Sequence, residues 1–76
     1  MYNFIRLSSQ TPGNPKINIK WYDIAVVEEH EGGSVVVVDI ASQALSYPVT
    51  ESPRVVINLI EKAREVAEES HTALNS

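Results

Sequence analysis

The chain has 76 residues, the size of one domain, and contains no cysteine, which excludes disulfides and thiolate metal sites. Its formal net charge is −4 and its basic residues are spread along the sequence, which disfavours nucleic acid as a partner. A core of this size supplies only about 3–5 kcal/mol, so we expect a well-packed monomer or, as the favoured alternative, a homo-oligomer.

Signals for a membrane or for export are not evident in the sequence. No apolar stretch approaches the roughly 20 residues that a membrane-spanning helix requires. The N-terminus also lacks the basic and then apolar regions of a signal peptide. We therefore expect a soluble, cytoplasmic protein that makes no membrane contact.

The first part of the chain predicts two strands joined by a loop. Residues 1–7 and Lys16–Lys20 both alternate between apolar and polar side chains, the period of a half-buried strand. Residues 8–15 contain two prolines among small polar residues, which predicts a loop. Trp21–Asp23 interrupts the alternation and indicates a bend or short bulge before a third strand.

The next stretch, residues 24–40, predicts an antiparallel hairpin. Two β-branched runs flank Gly32 and Gly33, which can adopt the positive φ angles of tight hairpin turns. Four consecutive valines, residues 35–38, cannot all face water. We expect them to form a central strand that is covered on both faces, or on one face with a partner on the other.

A short connector and a fifth strand follow the hairpin. Residues 41–44 have no clear pattern and are predicted to be the connector, and residues 45–49 the strand. Pro48 cannot donate to a ladder, so it places this strand at an edge of the sheet or ends its pairing. The first and fifth strands are therefore candidates for exposed edges, which can pair with another chain.

The helix signal is the clearest in the sequence. Ser52 is a good N-cap and Pro53 fits the first helical position. Apolar residues then recur at helical spacing and form one stripe, which consists of Val56, Leu59, Ile60, Ala63, Val66 and Ala67. We expect this stripe to pack on the sheet, and residues after 70 to fray.

These elements predict a small α+β fold. It would have an antiparallel sheet or open barrel of about five strands, closed by one C-terminal amphipathic helix. The predicted boundaries are a single domain at residues 1–70 and a frayed tail at residues 71–76.

Chemistry-bearing residues are few and do not form a known catalytic pattern. Residues 28–31 (Glu-Glu-His-Glu) are the densest cluster of possible metal ligands, and His71 would supply a second imidazole. A structural metal site needs about four convergent ligands, so we interpret the cluster as a solvated hairpin tip. No nucleophile motif or glycine-rich phosphate loop is present, and we expect no catalytic, cofactor or metal site.

The adjacent aromatic residues Trp21 and Tyr22 are candidates for a binding patch. Neighbours in an extended chain point to opposite faces, so one ring is expected in the core and the other at the surface. Exposed aromatic residues are enriched in protein interfaces. We predict a partner-binding surface formed by Lys20, Trp21 and Tyr22 with the acidic residues Glu29 and Glu31.

Short motifs also follow one another in a fixed order between Phe4 and Ala63. They are residues 4–7, Ile17-x-Ile19, Ile24 with Val27 and Glu28, residues 33–37, and Val49-Thr50-Glu51-Ser52 leading to Val56. This order resembles the FlbD-like family of small flagellar and swarming motility proteins. In that family isoleucines lead to a glutamate, and a valine-x-glutamate-serine segment leads into the closing helix. The resemblance implies a β-plus-helix adaptor without catalytic residues.

We therefore expect a small non-enzymatic interaction module that binds a protein partner. It would act through an exposed sheet edge or the Trp21/Tyr22 patch, and it would self-associate. One alternative is a phage- or plasmid-encoded inhibitor of a host protein, since a negative surface can imitate nucleic acid. Another is a weak binder of nucleic acid or a small ligand, with Arg6, Lys20 and Tyr22 on a β-barrel surface.

Overall fold

Five antiparallel strands and one C-terminal helix form the protein, which confirms the predicted small α+β fold. The computed structural model describes the backbone of residues 3–75 and the side chains of residues 3–68. The elements in chain order are β1 (Phe4–Ser8), β2 (Lys16–Lys20), β3 (Ile24–His30), β4 (Gly33–Ile40), β5 (Gln43–Val49) and α1 (Pro53–Asn75). Over these residues the strands do not close into a barrel.

The strands are divided between two sheets. One sheet is the hairpin β1–β2, and the other is the meander β3–β4–β5, in which the valine-rich β4 is central as predicted. A single bridge between Ser9 and Val49 joins the sheets, so the ends of β1 and β5 meet there. Both strands are otherwise edge strands, as predicted for the first and fifth strands.

Two tight turns build the meander. His30 pairs with Gly33 across the first turn, where Gly32 has a φ of +83° that glycine adopts without strain. The predicted connector at residues 41–44 is shorter than expected, because β5 already begins at Gln43. The remaining turn residues, Ala41 and Ser42, have φ angles of 51° and 67°, the signs required by the common two-residue hairpin turn.

The segment Trp21–Asp23 is one turn of 3₁₀ helix, where the sequence predicted a bend or bulge. It connects the two sheets and is followed by a register shift between Ile24 and Val26 in the β3–β4 ladder. A bulge therefore exists, but it lies just after the bend rather than within it.

The core lies between the two sheets and the helix. It consists of buried residues from β1, β2, β4 and β5, which alternate along β1 and β4 because side chains that are two apart share a face, and of one helical residue. These buried side chains are Ile5, Leu7, Ile19, Val36, Val38, Val49 and Val56.

Helix α1 begins as the sequence predicted. Ser52 caps it, since the Ser52 hydroxyl accepts a 3.4 Å bond from the Val55 N–H. Val56 is fully buried, and Leu59 and Ile60 pack on the core, so the predicted stripe faces β1 and β3. The described helix is not long and apolar enough to cross a membrane. It continues to Asn75; the predicted domain and tail bounds, 1–70 and 71–76, stay predictions.

Candidate functional site

One end of the molecule is closed by a polar junction, formed by residues 8–10 and residues 48–52. The Ser8 N–H donates to both carboxylate oxygens of Glu51, at 3.0 and 3.1 Å. The Thr50 N–H donates to the Ser8 carbonyl at 2.9 Å, and the Ser34 hydroxyl donates to the Glu51 carbonyl at 2.8 Å. Glu51 therefore holds β1, β4 and the start of the helix together.

Gln10 extends the polar junction to the hairpin tip. Its side-chain amide donates to the Val49 carbonyl at 2.8 Å and to the Glu31 carbonyl at 3.3 Å, while its N–H donates to the Pro48 carbonyl at 3.0 Å. Backbone packing here is so close that a Cβ on Gly33 would lie 2.1 Å from the Val49 carbonyl oxygen. The junction leaves no room for a ligand between these segments.

The valine-x-glutamate-serine segment, residues 49–52, forms part of this polar junction. Val49 is a core residue, Glu51 binds the Ser8 N–H, and Ser52 caps the helix. Each of these residues has a structural task in the described protein. The valine-x-glutamate-serine motif therefore has a structural role at the polar junction.

The opposite end of the molecule is open and apolar. There the two sheets diverge and leave a groove of about 470 Å³, within the size range of ligand sites. We call this feature the groove; its lining residues are Phe4, Ile17, Asn18, Ile19, Lys20, Asp23, Val38, Ile40 and Tyr47. Phe4 and Ile40 are 43% and 46% exposed, although both are large and apolar.

The groove follows the outer edge of β2. It contacts four consecutive residues of that strand, and since successive side chains point to opposite faces, only an edge presents all four. The Trp21 N–H donates to the Asn3 carbonyl, and the Ser9 N–H to the Pro15 carbonyl. In an antiparallel ladder, residues that bond to the partner strand alternate with residues that do not. Pro15 and Trp21 bond to the residues that flank β1, so the N–H and carbonyl groups of Asn18 point away from β1.

The same reasoning applies to the two lysines at the ends of β2. Lys16 and Lys20 lie two residues on either side of Asn18, so their peptide groups also point away from β1. In the part of the chain that the structure describes, β2 pairs with β1 alone. This edge can therefore accept another strand.

The outer face of the β1–β2 hairpin is positively charged. Arg6 lies opposite Asn18, and it shares this face with Lys16 and Lys20, because directly opposed residues and alternate residues project to the same side. Residues 1–20 contain these three basic residues and no acidic one, whereas residues 21–76 contain three basic and ten acidic residues. The chain is thus negative overall but positive beside the groove.

One of the predicted binding residues lines the groove, and two more follow it in the chain. Lys20 lines it, and Trp21 and Tyr22 follow in the 3₁₀ turn. Trp21 is half-buried and packs on the core, while Tyr22 is 52% exposed and meets the Trp21 ring edge-to-face at 5.4 Å. Tyr22 is therefore the surface aromatic of the pair.

The other two predicted residues, Glu29 and Glu31, lie elsewhere. They are exposed near the polar junction, at the far end of β3. The seven residues of β3, at about 3.3 Å each, place them about 23 Å from the 3₁₀ turn. The structure does not bring all five predicted residues into one surface.

The cluster at residues 28–31 does not assemble a metal site with other described residues. No group of three histidine, cysteine or acidic side chains that could hold an ion occurs within residues 3–68. The side chain of His71, the second imidazole considered, lies outside the described residues.

Sequence reasoning missed most of the groove. Phe4, Ile40 and Tyr47 carried no signal, because their exposure depends on how far the sheets diverge. The alternation of β4 could have placed Ile40 on the face of Val36 and Val38. Whether this face of β4 is covered at Ile40 depends on where the β1–β2 hairpin lies, which the pattern of β4 cannot predict.

No protein-family model, curated protein or solved structure matches this chain.

Proposed function

We propose that the protein is a small non-enzymatic interaction module that binds an extended segment of another protein. The segment would add to the outer edge of β2 and place alternate side chains in the groove. The observation that carries this proposal is the position of the groove directly beside the outward peptide groups of β2. Strand addition uses such an edge for affinity and adjacent pockets for specificity.

Exposure of the apolar lining supports this proposal. Phe4 and Ile40 leave a large part of their surface in water, and burying apolar surface is worth about 25 cal/mol per Å². Tyr22 stands at the same end and adds an aromatic side chain of the kind enriched at interfaces. The resemblance to FlbD-like adaptors, which have no catalytic residues, points in the same direction.

Selection of peptides tests the proposal without knowledge of the natural partner. A library of random 12-residue peptides displayed on phage would be selected on the immobilised protein. We expect selected peptides to alternate apolar and polar residues and to shift the amide NMR signals of Asn18 and Lys20.

The variants Ile40→Thr and Val26→Thr provide a matched pair for this test. Both side chains are similarly exposed strand residues, but only Ile40 lines the groove. Selected peptides should lose affinity for Ile40→Thr and retain it for Val26→Thr. Peptides that bind both variants equally and shift signals on α1 instead would contradict the proposal.

Self-association stays a prediction, and the absolute mass in solution tests it. Size-exclusion chromatography with light scattering would be run from high to low micromolar concentration. A multiple of 8.4 kDa that persists on dilution would support a homo-oligomer. A mass of one chain would contradict self-association and leave the β2 edge available to other proteins.

Binding of single-stranded nucleic acid is a second candidate function. The observation in its favour is that Arg6, Lys16 and Lys20 share a face near the exposed rings of Phe4 and Tyr22. Retention on immobilised oligothymidine at low salt, falling steeply as salt increases, would support it. Absence of retention at low salt would exclude it, because phosphate contacts are strongest there.

A further inference from the structure

We infer that the strand bound at the β2 edge is acidic, with the pattern acidic–apolar–polar–apolar–acidic. This inference rests on the proposed function and adds the chemistry of the partner. Its evidence is the arrangement of charge and apolar surface around β2.

The faces of β2 determine which partner positions are apolar. Ile17 and Ile19 point inward and line the groove, whereas Asn18 and the two flanking lysines project to the outer face. In an antiparallel pair, directly opposed residues share a face and contact each other. Partner residues opposite Ile17 and Ile19 therefore enter the groove, and the residue opposite Asn18 faces water.

The charges on the hairpin determine the outer positions. Partner residues opposite Lys16 and Lys20 lie on the face that also carries Arg6. The Lys16 ammonium donates to the Ser8 hydroxyl at 2.6 Å, a neutral acceptor. The groove lining contains one basic residue, Lys20, and one acidic residue, Asp23. Arg6 and Lys16 add positive charge on the adjoining hairpin face, so carboxylates are favoured opposite both lysines.

The same charges disfavour a second copy of this chain at the edge. Two β2 strands paired antiparallel about Asn18 would set Lys16 of each copy opposite Lys20 of the other. Like charges directly opposite each other destabilise a strand pair, and lysine on an edge strand is a common protection against self-pairing. If the protein self-associates, a surface other than the β2 edge is expected to mediate it.

A set of matched peptides tests the inference. The acidic peptide is acetyl-Thr-Glu-Val-Thr-Val-Glu-Thr-amide, and its counterparts replace both glutamates by glutamine or by lysine. Affinities would be measured by NMR titration of the labelled protein at low salt. We expect the lysine peptide to bind about tenfold more weakly than the acidic one, with the glutamine peptide between them, because two cross-strand charge pairs change sign.

Two further measurements separate strand pairing from general attraction of charge. A peptide with proline at the central position loses the N–H that faces Asn18 and should bind much more weakly than the acidic peptide, although its charge is the same. The variant Lys20→Glu changes an exposed side chain. It should reduce the preference for the acidic peptide and improve binding of the lysine peptide.

Each outcome decides between the two proposals. Equal binding of acidic and lysine peptides, with shifts at Asn18 and Ile40, would overturn the acidic pattern and leave the strand-binding function intact. No shift at the groove with any peptide, including library-selected ones, would overturn both. Displacement of the acidic peptide by oligothymidine, or a β2-paired dimer that excludes peptide, would assign the edge to nucleic acid or to a second copy and overturn the inference.

Discussion

The two ends of the molecule use opposite chemistry. At the polar junction, buried Ser8, Ser9 and Ser34 lie among backbone groups, and no buried side-chain nitrogen or oxygen of the described residues lacks a hydrogen-bond partner. At the groove, Phe4 and Ile40 are apolar and remain partly in water. Polar groups are thus covered where the sheets meet, and apolar groups are uncovered where they diverge.

Stability and binding depend on opposite ends of the molecule. Buried polar groups contribute only when they are all paired, so the junction tolerates little change. The exposed apolar side chains of the groove do not stabilise the free protein. They contribute favourable free energy only when a partner buries them. Substitutions at the junction should therefore affect folding, and substitutions at the groove should affect binding.

The largest loss of stability is expected from a substitution on the face of the helix that packs on the core. Leu59→Asp should destabilise the domain by about 3 kcal/mol, because it places an unpaired charge against the core. Since the whole core supplies only about 3–5 kcal/mol, the variant should be largely unfolded by circular dichroism. Ile57→Asp, on the exposed side of the same helix, is the control and should remain folded. Equal behaviour of the two variants would mean that the helix does not pack through Leu59.

A smaller loss of stability is expected when a side chain is placed between Gly33 and the Val49 carbonyl, where the two backbones lie close together. Gly33→Ala should cost about 2–3 kcal/mol in urea unfolding, since its Cβ would overlap the Val49 carbonyl at a positive φ. Gly13→Ala isolates the conformational cost, about 1 kcal/mol, because that glycine also has a positive φ but no atom lies within 4 Å of its Cβ. Equal losses would show that the segments can separate without cost.

The charge of Glu51 should contribute about 1–2 kcal/mol. Glu51→Gln keeps the size of the side chain but replaces one carboxylate oxygen by an amide that cannot accept the Ser8 N–H. Chemical denaturation of this variant would be compared with Glu61→Gln, an exposed helical position where little change is expected. If both variants lost the same free energy of unfolding, the contacts of Glu51 at the junction would not contribute specifically to stability.

The smallest change in stability is expected at the groove. Ile40→Thr should alter the free energy of unfolding by no more than about 0.5 kcal/mol, because its side chain is half in water and the substitution keeps a β-branched residue. Binding of selected peptides should nevertheless fall about tenfold, since apolar contact is lost. A large loss of stability would place Ile40 with the core and weaken the contrast between the two ends.

Local patterns predicted the elements but not their assembly. Alternation identified the strands, Ser52 and Pro53 identified the start of the helix, and the valine run identified the central strand. The connector at residues 41–44 was predicted but its tight form at Ala41 and Ser42 was not, because these residues carry no signal for positive φ angles and the pairing of β4 with β5 imposes them. Tertiary pairing there overrides local preference.

The binding surface was predicted only in part, for a physical reason. Lys20, Trp21 and Tyr22 are neighbours in sequence, so a local argument could group them. Their separation from Glu29 depends on the length of β3, and the groove depends on the angle between two sheets. The role of Glu51 likewise depends on a contact with Ser8, 43 positions away, for which the sequence has no periodic signal.

That long separation also has a kinetic consequence. The meander β3–β4–β5 closes through two-residue turns, whereas the polar junction requires the first and last parts of the chain to meet. Closing a longer loop costs more entropy before any contact compensates for it. We expect the meander to form before the transition state and the junction after it. Glu51→Gln should then accelerate unfolding in stopped-flow experiments and leave the refolding rate nearly unchanged.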